Sequence, residues 1–258
     1  MASTALITGA SSGIGRAFAL HHASVGGDVI VAARRVEALE TLKTEIESQY
    51  RVTAHVFQSD LAAPDAPQKL FDAIKAAGLS VDILINNAGL GGHGTFVDRN
   101  LADEQAMIDL NVKALVALSH LFGADMAARD AGRILNVGST AGFMPGPQQA
   151  IYFATKAFVN SFSQALDQEL RPKGVTCTVL APGYVHTEFA HVAKLDGTDL
   201  VSQKGRTAEF TAKVGYDAMM KGQLVVVNEP QLSVAVNWLI PLLPRRMVLK
   251  MVDKMQSK

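Results

Sequence analysis

The chain has 258 residues, 48% of them hydrophobic, and 24 basic residues balance 24 acidic ones to a formal charge of zero. That length and apolar share support one α/β domain with a large core, and neutrality excludes a global field that would draw nucleic acid or an anionic membrane. The single cysteine, Cys177, excludes a disulfide framework and favours an intracellular, cytoplasmic setting.

The N-terminus enters a strand pattern at once, with neither a basic run nor a long apolar run ahead of it, so no secretion signal is expected. Ala5–Thr8 reads as a strand, Gly9-Ala-Ser-Ser-Gly13-Ile-Gly15 follows, and a helix pattern then places Ile14, Phe18 and His22 on one face. Glycine lets a backbone turn tightly and approach a pyrophosphate, whose negative charge the free amides of a helix N-terminus receive. Placed between the first strand and first helix, this string predicts a dinucleotide site.

Val29–Ala33 is the second strand and ends in Ala33-Arg34-Arg35. An acidic residue at this strand end would hold a ribose 2′-hydroxyl; Ala33 followed by Arg34 suits a 2′-phosphate instead, and so NADP(H). Val52–Phe57 leads to Asp60 and Leu61, Pro64 opens a helix that closes at Gly78, and Val81–Ile85 ends in Asn86-Asn87-Ala88-Gly89. Small residues there allow a flat ring to lie against the backbone, with Asp60 on the same rim. A long helix is expected from about Asp103 to Arg129 with Asn111 inside it, where an asparagine competes with the backbone and needs a reason to stand.

Arg133–Val137 ends near Ser139, a Gly/Pro-rich loop follows, and the next helix carries Tyr152 and Lys156 four residues apart on one face. A phenol titrates near pH 10, too high for acid-base work at neutrality without help. An ammonium at ~4 Å is worth roughly 4 kcal/mol at an effective dielectric of about 20, enough to lower it by about three pH units. Lys156 is placed to supply that, and Ser139 to hydrogen-bond a carbonyl. Val175–Leu180 leads to Ala181-Pro182-Gly183-Tyr184-Val185-His186-Thr187. Residues 188–221 break the rhythm and read as a substrate lid. Leu224–Val227 is the seventh strand, and the remainder is helical, interrupted by Pro241 and Pro244. Leu232–Leu243 is too short for a membrane span. The seven histidines lack metal-ligand spacing, so no metal is expected.

Strands alternating with helices at this regularity predict a doubly wound Rossmann fold, with seven parallel strands and helices on both faces, as one domain over residues 1–258. The ordered set Gly9, Gly13, Gly15, Asp60, Asn86 to Gly89, Asn111, Ser139, Tyr152, Lys156, Pro182, Gly183 and Thr187 resembles the short-chain dehydrogenase/reductase family over nearly the whole chain. The resemblance implies a nicotinamide cofactor across the strand ends. Gly9, Ser11, Ser12, Gly13, Ile14 and Gly15 would line its phosphates and ribose, and Asp60 and Leu61 would face the adenine. Asn87, Ala88 and Gly89 would back the adjoining ribose, Tyr152 and Lys156 would hold the nicotinamide ribose, and Pro182, Gly183, Val185 and Thr187 would lie along the nicotinamide. It also implies Tyr152 as general acid, Ser139 as second donor, Lys156 as the tuning charge and Asn111 as anchor of a proton-supplying water. A homodimer or homotetramer is expected through the Asn111 and Tyr152 helices. The expected substrate is a hydrophobic ketone or its secondary alcohol, with Phe96, Met144, Tyr184, Phe189, Phe210, Met219 and Met220 as pocket candidates. A 3-oxoacyl thioester reductase is the alternative, and a non-catalytic dinucleotide sensor or a peripheral membrane module built on the tail are the other classes.

Overall fold

In the computed structural model, which describes residues 3–202 and 205–257, the seven apolar runs pair into one parallel sheet. The strands are β1 Thr4–Thr8, β2 Asp28–Ala33, β3 Ala54–Gln58, β4 Ile83–Asn86, β5 Gly132–Val137, β6 Val175–Leu180 and β7 Val225–Val226. Their order is β3-β2-β1-β4-β5-β6-β7, so the chain reverses direction across the sheet between β1 and β4. The crevice at such a reversal is where open α/β sheets hold ligands. Leu6 is in register with Ile30 on one side and Leu84 on the other.

Because side chains alternate along a strand, each β1 residue chooses a face. Ala5 and Ile7 join the core beneath α1 (Gly13–Ser24), α2 (Val36–Tyr50) and α9 (Ala208–Met220). Leu6 joins the core beneath α3 (Ala66–Ala76) and α5 (Leu115–Ala127). Helix α4 (Leu101–Ile108) runs into α5 through a π-helical stretch at Asp109–Ala114, and Asn100 caps its start by accepting from the Ala102 amide at 2.8 Å. Leu101–Ala127 is long and apolar enough to cross a bilayer by length and composition alone. Here it is a core helix, with Leu115, Leu118, Phe122 and Met126 buried.

Two expectations need correction. The seventh strand is only Val225–Val226. The lid does not extend to residue 221, because Ala208, Ala212, Tyr216 and Met219 of α9 are buried in the core with Phe18 of α1. What stands beside the strand ends is α7 (Glu188–Val192) and α8 (Asp199–Ser202). Beyond β7 the chain folds as α10 (Pro230–Val234), a π-helical turn at Ala235–Leu239, a 3-10 turn at Ile240–Leu242 and α11 (Arg245–Gln256).

Candidate active site

One cavity of about 660 Å³ runs along the carboxyl ends of the strands. It is lined by Gly9, Ser11, Ser12, Gly13, Ile14, Arg34, Asp60, Leu61, Asn87, Ala88, Gly89, Ser139, Tyr152, Lys156, Pro182, Gly183, Val185 and Thr187. Gly15 and Asn111, the other two expected site residues, stand behind the wall.

Gly15 is where it is for close approach. A Cβ there would lie 2.4 Å from both the Asn87 Nδ2 and the Gly9 carbonyl oxygen, so only glycine lets the helix start against the turn. Gly9 has φ +66° and would put a Cβ 2.9 Å from the Ala88 Cα. The turn is pinned to β4 by Thr8, whose Oγ1 accepts from the Asn87 and Ala88 amides at 3.0 Å each. Asn87 in turn donates its side-chain amide to the Thr8 carbonyl at 2.9 Å. Its side chain is thus occupied in holding the glycine turn, although the residue still lines the cavity.

At one end of the cavity, Arg34 and Arg35 are exposed beside Ser11. Arg35 donates to the Ser11 Oγ at 3.3 Å and pairs with Glu188 of α7 at 3.0 Å. Ala33 leaves no carboxylate at the tip of β2. Arg35 and Glu188 are functional candidates beyond the residues that the motifs single out; the doublet Arg34-Arg35 is the sequence signal for the first.

At the other end, Ser139 caps a short 3-10 turn (Thr140–Phe143) by accepting from the Ala141 amide at 3.1 Å, and it donates to the Pro182 carbonyl at 3.4 Å. Asn160 of α6 (Ala150–Leu170) holds the Ser139 carbonyl at 3.0 Å. Tyr152 and Lys156 lie on α6, as their spacing predicts. The Lys156 Nζ donates to the Val137 carbonyl at 2.8 Å and sits 5.8 Å from the Tyr152 ring centre. Burial pushes the Tyr152 phenol up to about 12, while hydrogen bonding with Ser139 pulls the other way. Burial brings the Lys156 ammonium down to about 8. The expected lowering of the phenol by Lys156 is therefore not what this arrangement produces. The lysine is itself desolvated and anchored to a carbonyl, and loss of water dominates at the tyrosine.

Asn111 lies in the π-helical stretch, 2% exposed. Its Oδ1 accepts from the Leu90 amide at 2.8 Å, and its Nδ2 donates to the Leu90 carbonyl at 2.9 Å and to the Thr155 Oγ1 at 3.1 Å. This explains the asparagine inside a helix, since it ties the loop after β4 to α6 one residue from Lys156.

The substrate side is built differently from the expectation. Met144, Tyr184 and Phe189 line the cavity, and the Phe189 ring stands 5.6 Å from the Tyr152 ring. Phe96 is exposed on a 3-10 turn, and on α9 Phe210 and Met220 are exposed while Met219 is buried in the core, because α9 spends its apolar face on α1. Their place is taken by Leu232, Val236, Ile240, Met251, Val252 and Met255 from the tail. Gln256 fastens the end of α11, its Oε1 accepting from Gln149 at 2.7 Å. Leu232, Val236 and Ile240 lie on helical pieces too short to show a period, and the period of α11, with Val248 and Val252 on its buried face, does not by itself say that this face meets the cavity.

The family model for short chain dehydrogenases matches residues 3–196. A sulfoacetaldehyde reductase 2 of Chromohalobacter salexigens is 40% identical over 194 residues, covering 74% of this chain and 76% of that one. The very-long-chain 3-oxoacyl-CoA reductase of Homo sapiens is 32% identical over 227 residues, 86% of this chain and 71% of the human one. Among solved structures, a short-chain dehydrogenase from Sphingobium yanoikuyae in complex with NADPH is similar with a TM-score of 0.85 at 30% identity, covering 93% of this chain and 92% of that one.

Proposed function

The chain belongs to the short-chain dehydrogenase family, and from that premise we propose that it is an NADP(H)-dependent oxidoreductase interconverting a hydrophobic ketone and its secondary alcohol. The observation that carries the proposal is the continuity of one cavity from Arg34 and Arg35 through the glycine turn to Ser139, Tyr152 and Lys156.

The residues present fit a phosphorylated dinucleotide. Gly9 and Gly13 hold left-handed backbone, and a Cβ on Gly13 would meet the Thr187 methyl at 3.1 Å. The floor is therefore kept bare where phosphates need backbone amides. Arg34 and Arg35 would take a 2′-phosphate, Asp60 and Leu61 the adenine, and Asn87 to Gly89 the ribose face. Pro182, Gly183, Val185 and Thr187 would lie along the nicotinamide. NADPH bound there supplies the hydride.

The side chains supply the proton and the electrostatics. Held protonated by burial, Tyr152 donates its proton to the carbonyl oxygen as negative charge grows there. Ser139 has only a long bond to the Pro182 carbonyl to give up, and it turns its hydroxyl to the same oxygen. Lys156, 5.8 Å from the Tyr152 ring centre, offsets part of the charge left on the phenolate, less than burial costs it. At neutral pH the buried phenol carries the proton that carbonyl reduction requires. Asn111 holds the loop and helix that fix this spacing, and a water anchored near it would relay protons.

The lining supports an apolar substrate class. Arg34, Arg35 and Lys156 are the cations lining the cavity among the described residues, the first two at the dinucleotide end and the third anchored on Val137. A sulfonate such as that of the Chromohalobacter relative's substrate would have no cation to meet at the tail end. Its transfer beside Leu232, Val236 and Met251 would be costly. An uncharged apolar ketone meets no such cost.

A 3-oxoacyl thioester is the second reading. Exposed Arg245, Arg246 and Lys250 on α11 favour it, next to the apolar tail wall. NADPH oxidation measured across aliphatic, aromatic and steroidal ketones, 3-oxoacyl thioesters and charged keto acids, with Tyr152→Phe as control, separates these readings. Turnover confined to sugars or charged keto acids contradicts the apolar pocket. We further propose a cytoplasmic homo-oligomer, with exposed Phe158 stacked on Phe162 at 5.6 Å as part of its contact surface.

A further inference from the structure

The tail that walls the cavity has a second side. Val236, Ile240, Val248 and Val252 are buried inward, whereas Leu242 is 84% exposed, Trp238 70%, Leu239 57% and Val234 54%. Met247 on α11 is exposed as well. Ten residues, 238 to 247, thus present a tryptophan, two leucines and a methionine to water together with Arg245 and Arg246. Lys250 follows one turn on. No acidic residue occurs between Pro230 and Val252. The acidic residues that flank this stretch are already engaged, Glu229 by Arg206 and Asp253 by Gln148.

We propose that this face docks on a lipid surface carrying anionic headgroups, with Trp238, Leu239 and Leu242 entering the headgroup and acyl boundary and Arg245, Arg246 and Lys250 meeting lipid phosphates. An exposed apolar set flanked by lysine and arginine alone is the composition of an interfacial contact, and tryptophan prefers that depth. Charge selects among occupants. A second copy on a two-fold axis would bring the same patch against itself, and with it Arg245 and Arg246 against their own likeness, with no carboxylate from this stretch between them. An anionic bilayer supplies the missing negative charge along the whole face. The chain as a whole is neutral, so the attraction is local to the tail.

The consequence concerns delivery. The turns that expose Trp238 and Leu242 also place Leu232, Val236 and Ile240 in the cavity wall. An apolar ligand dissolved in the bilayer would then reach the cavity across a single layer of tail, without crossing water.

The chain contains one tryptophan, so its fluorescence reads this face alone and needs no activity measurement. The full-length protein is titrated with neutral phosphatidylcholine vesicles and with vesicles containing phosphatidylglycerol, following Trp238 emission and co-sedimentation. The expected result is a blue shift and pelleting with the anionic vesicles, reversed by salt. Arg245→Gln with Arg246→Gln is expected to lower partitioning roughly 30-fold, and Leu242→Ser to lower it while turnover of a water-soluble ketone is unchanged. Protein that stays in the supernatant with unshifted emission overturns the proposal. So does an emission already blue-shifted without lipid that tracks protein concentration, which assigns the face to a second copy. A shift produced by an acidic acyl-carrier protein and not by anionic vesicles overturns it too.

Discussion

The two ends of the cavity are made of different material. At the dinucleotide end the determinants are backbone positions, Gly9, Gly13 and Gly15, and a clamp from Thr8 and Asn87 that holds one strand end to another. At the substrate end the wall is a set of interchangeable apolar side chains on the tail, Val236, Ile240, Met251 and Met255 among them. The family match covers residues 3–196 and stops before that tail. Backbone geometry tolerates little change, whereas a wall of side chains can be rebuilt for another ligand without disturbing the sheet. The difference suggests a fixed chemistry with a separately adjustable choice of substrate.

The largest effect should come where both ends meet. Tyr152→Phe removes the proton donor and is expected to lower kcat roughly 10²- to 10⁴-fold, with NADPH affinity, measured by fluorescence titration, little changed. A comparable loss of cofactor binding would place Tyr152 with the dinucleotide end alone. Next is the double substitution Arg34→Ala with Arg35→Ala. The loss of charge-assisted bonds to a 2′-phosphate should cut the NADPH over NADH preference in kcat/KM by about 10- to 100-fold. An unchanged ratio would break the assignment of that end.

How much of this could be read from sequence differs between the same two regions. Gly15 and Gly9 are recognisable because no other residue tolerates their contacts, so position and chemistry coincide. Asn111 declares itself by standing where a helix disfavours it, and the π-helical stretch and the bonds to Leu90 are the reason. Met219 misleads because an amphipathic helix beside a pocket and one against α1 have the same periodicity. The tail from Pro230 to Leu242 hides for the opposite reason: its pieces are too short for a period, and which side of Val236 or Trp238 is covered depends on the fold, whereas α11 shows its period in Val248 and Val252 but not that this face closes the cavity. The influence of Lys156 on Tyr152 was misjudged because burial, invisible in sequence, outweighs the charge.

Further outcomes follow from the pH, the tail and the Arg35–Glu188 pair. Lys156 keeps its charge below about 8 in the folded protein against 10.5 ordinarily. The kcat/KM for NADPH should therefore be flat below that pH and fall about tenfold per unit above it. At Lys156 the folded protein binds fewer protons than the unfolded chain between about 8 and 10.5, so the contribution of this residue to stability rises with pH through that window, opposed above 9.0 by the Cys177 thiol, which burial pushes up. A thermal melt series in which Lys156→Met loses this rise checks the sign. Val236→Ala on the tail should lower kcat/KM for a bulky ketone roughly 5- to 10-fold and leave NADPH affinity alone. The smallest effect is that of Glu188→Gln. Freeing Arg35 from an exposed ion pair should tighten NADPH by about twofold, and a weakening instead would make Glu188 part of the cofactor site.

The most direct test of the account compares two carbonyl compounds with the same carbon skeleton, one an uncharged hydrophobic ketone and the other carrying a sulfonate at the far end. Their kcat/KM values are measured with NADPH on the wild-type enzyme and on Tyr152→Phe. The account predicts turnover of the uncharged ketone, strong discrimination against the sulfonate, and loss of both activities in Tyr152→Phe. Preferential reduction of the sulfonate, or turnover that survives Tyr152→Phe, would contradict it.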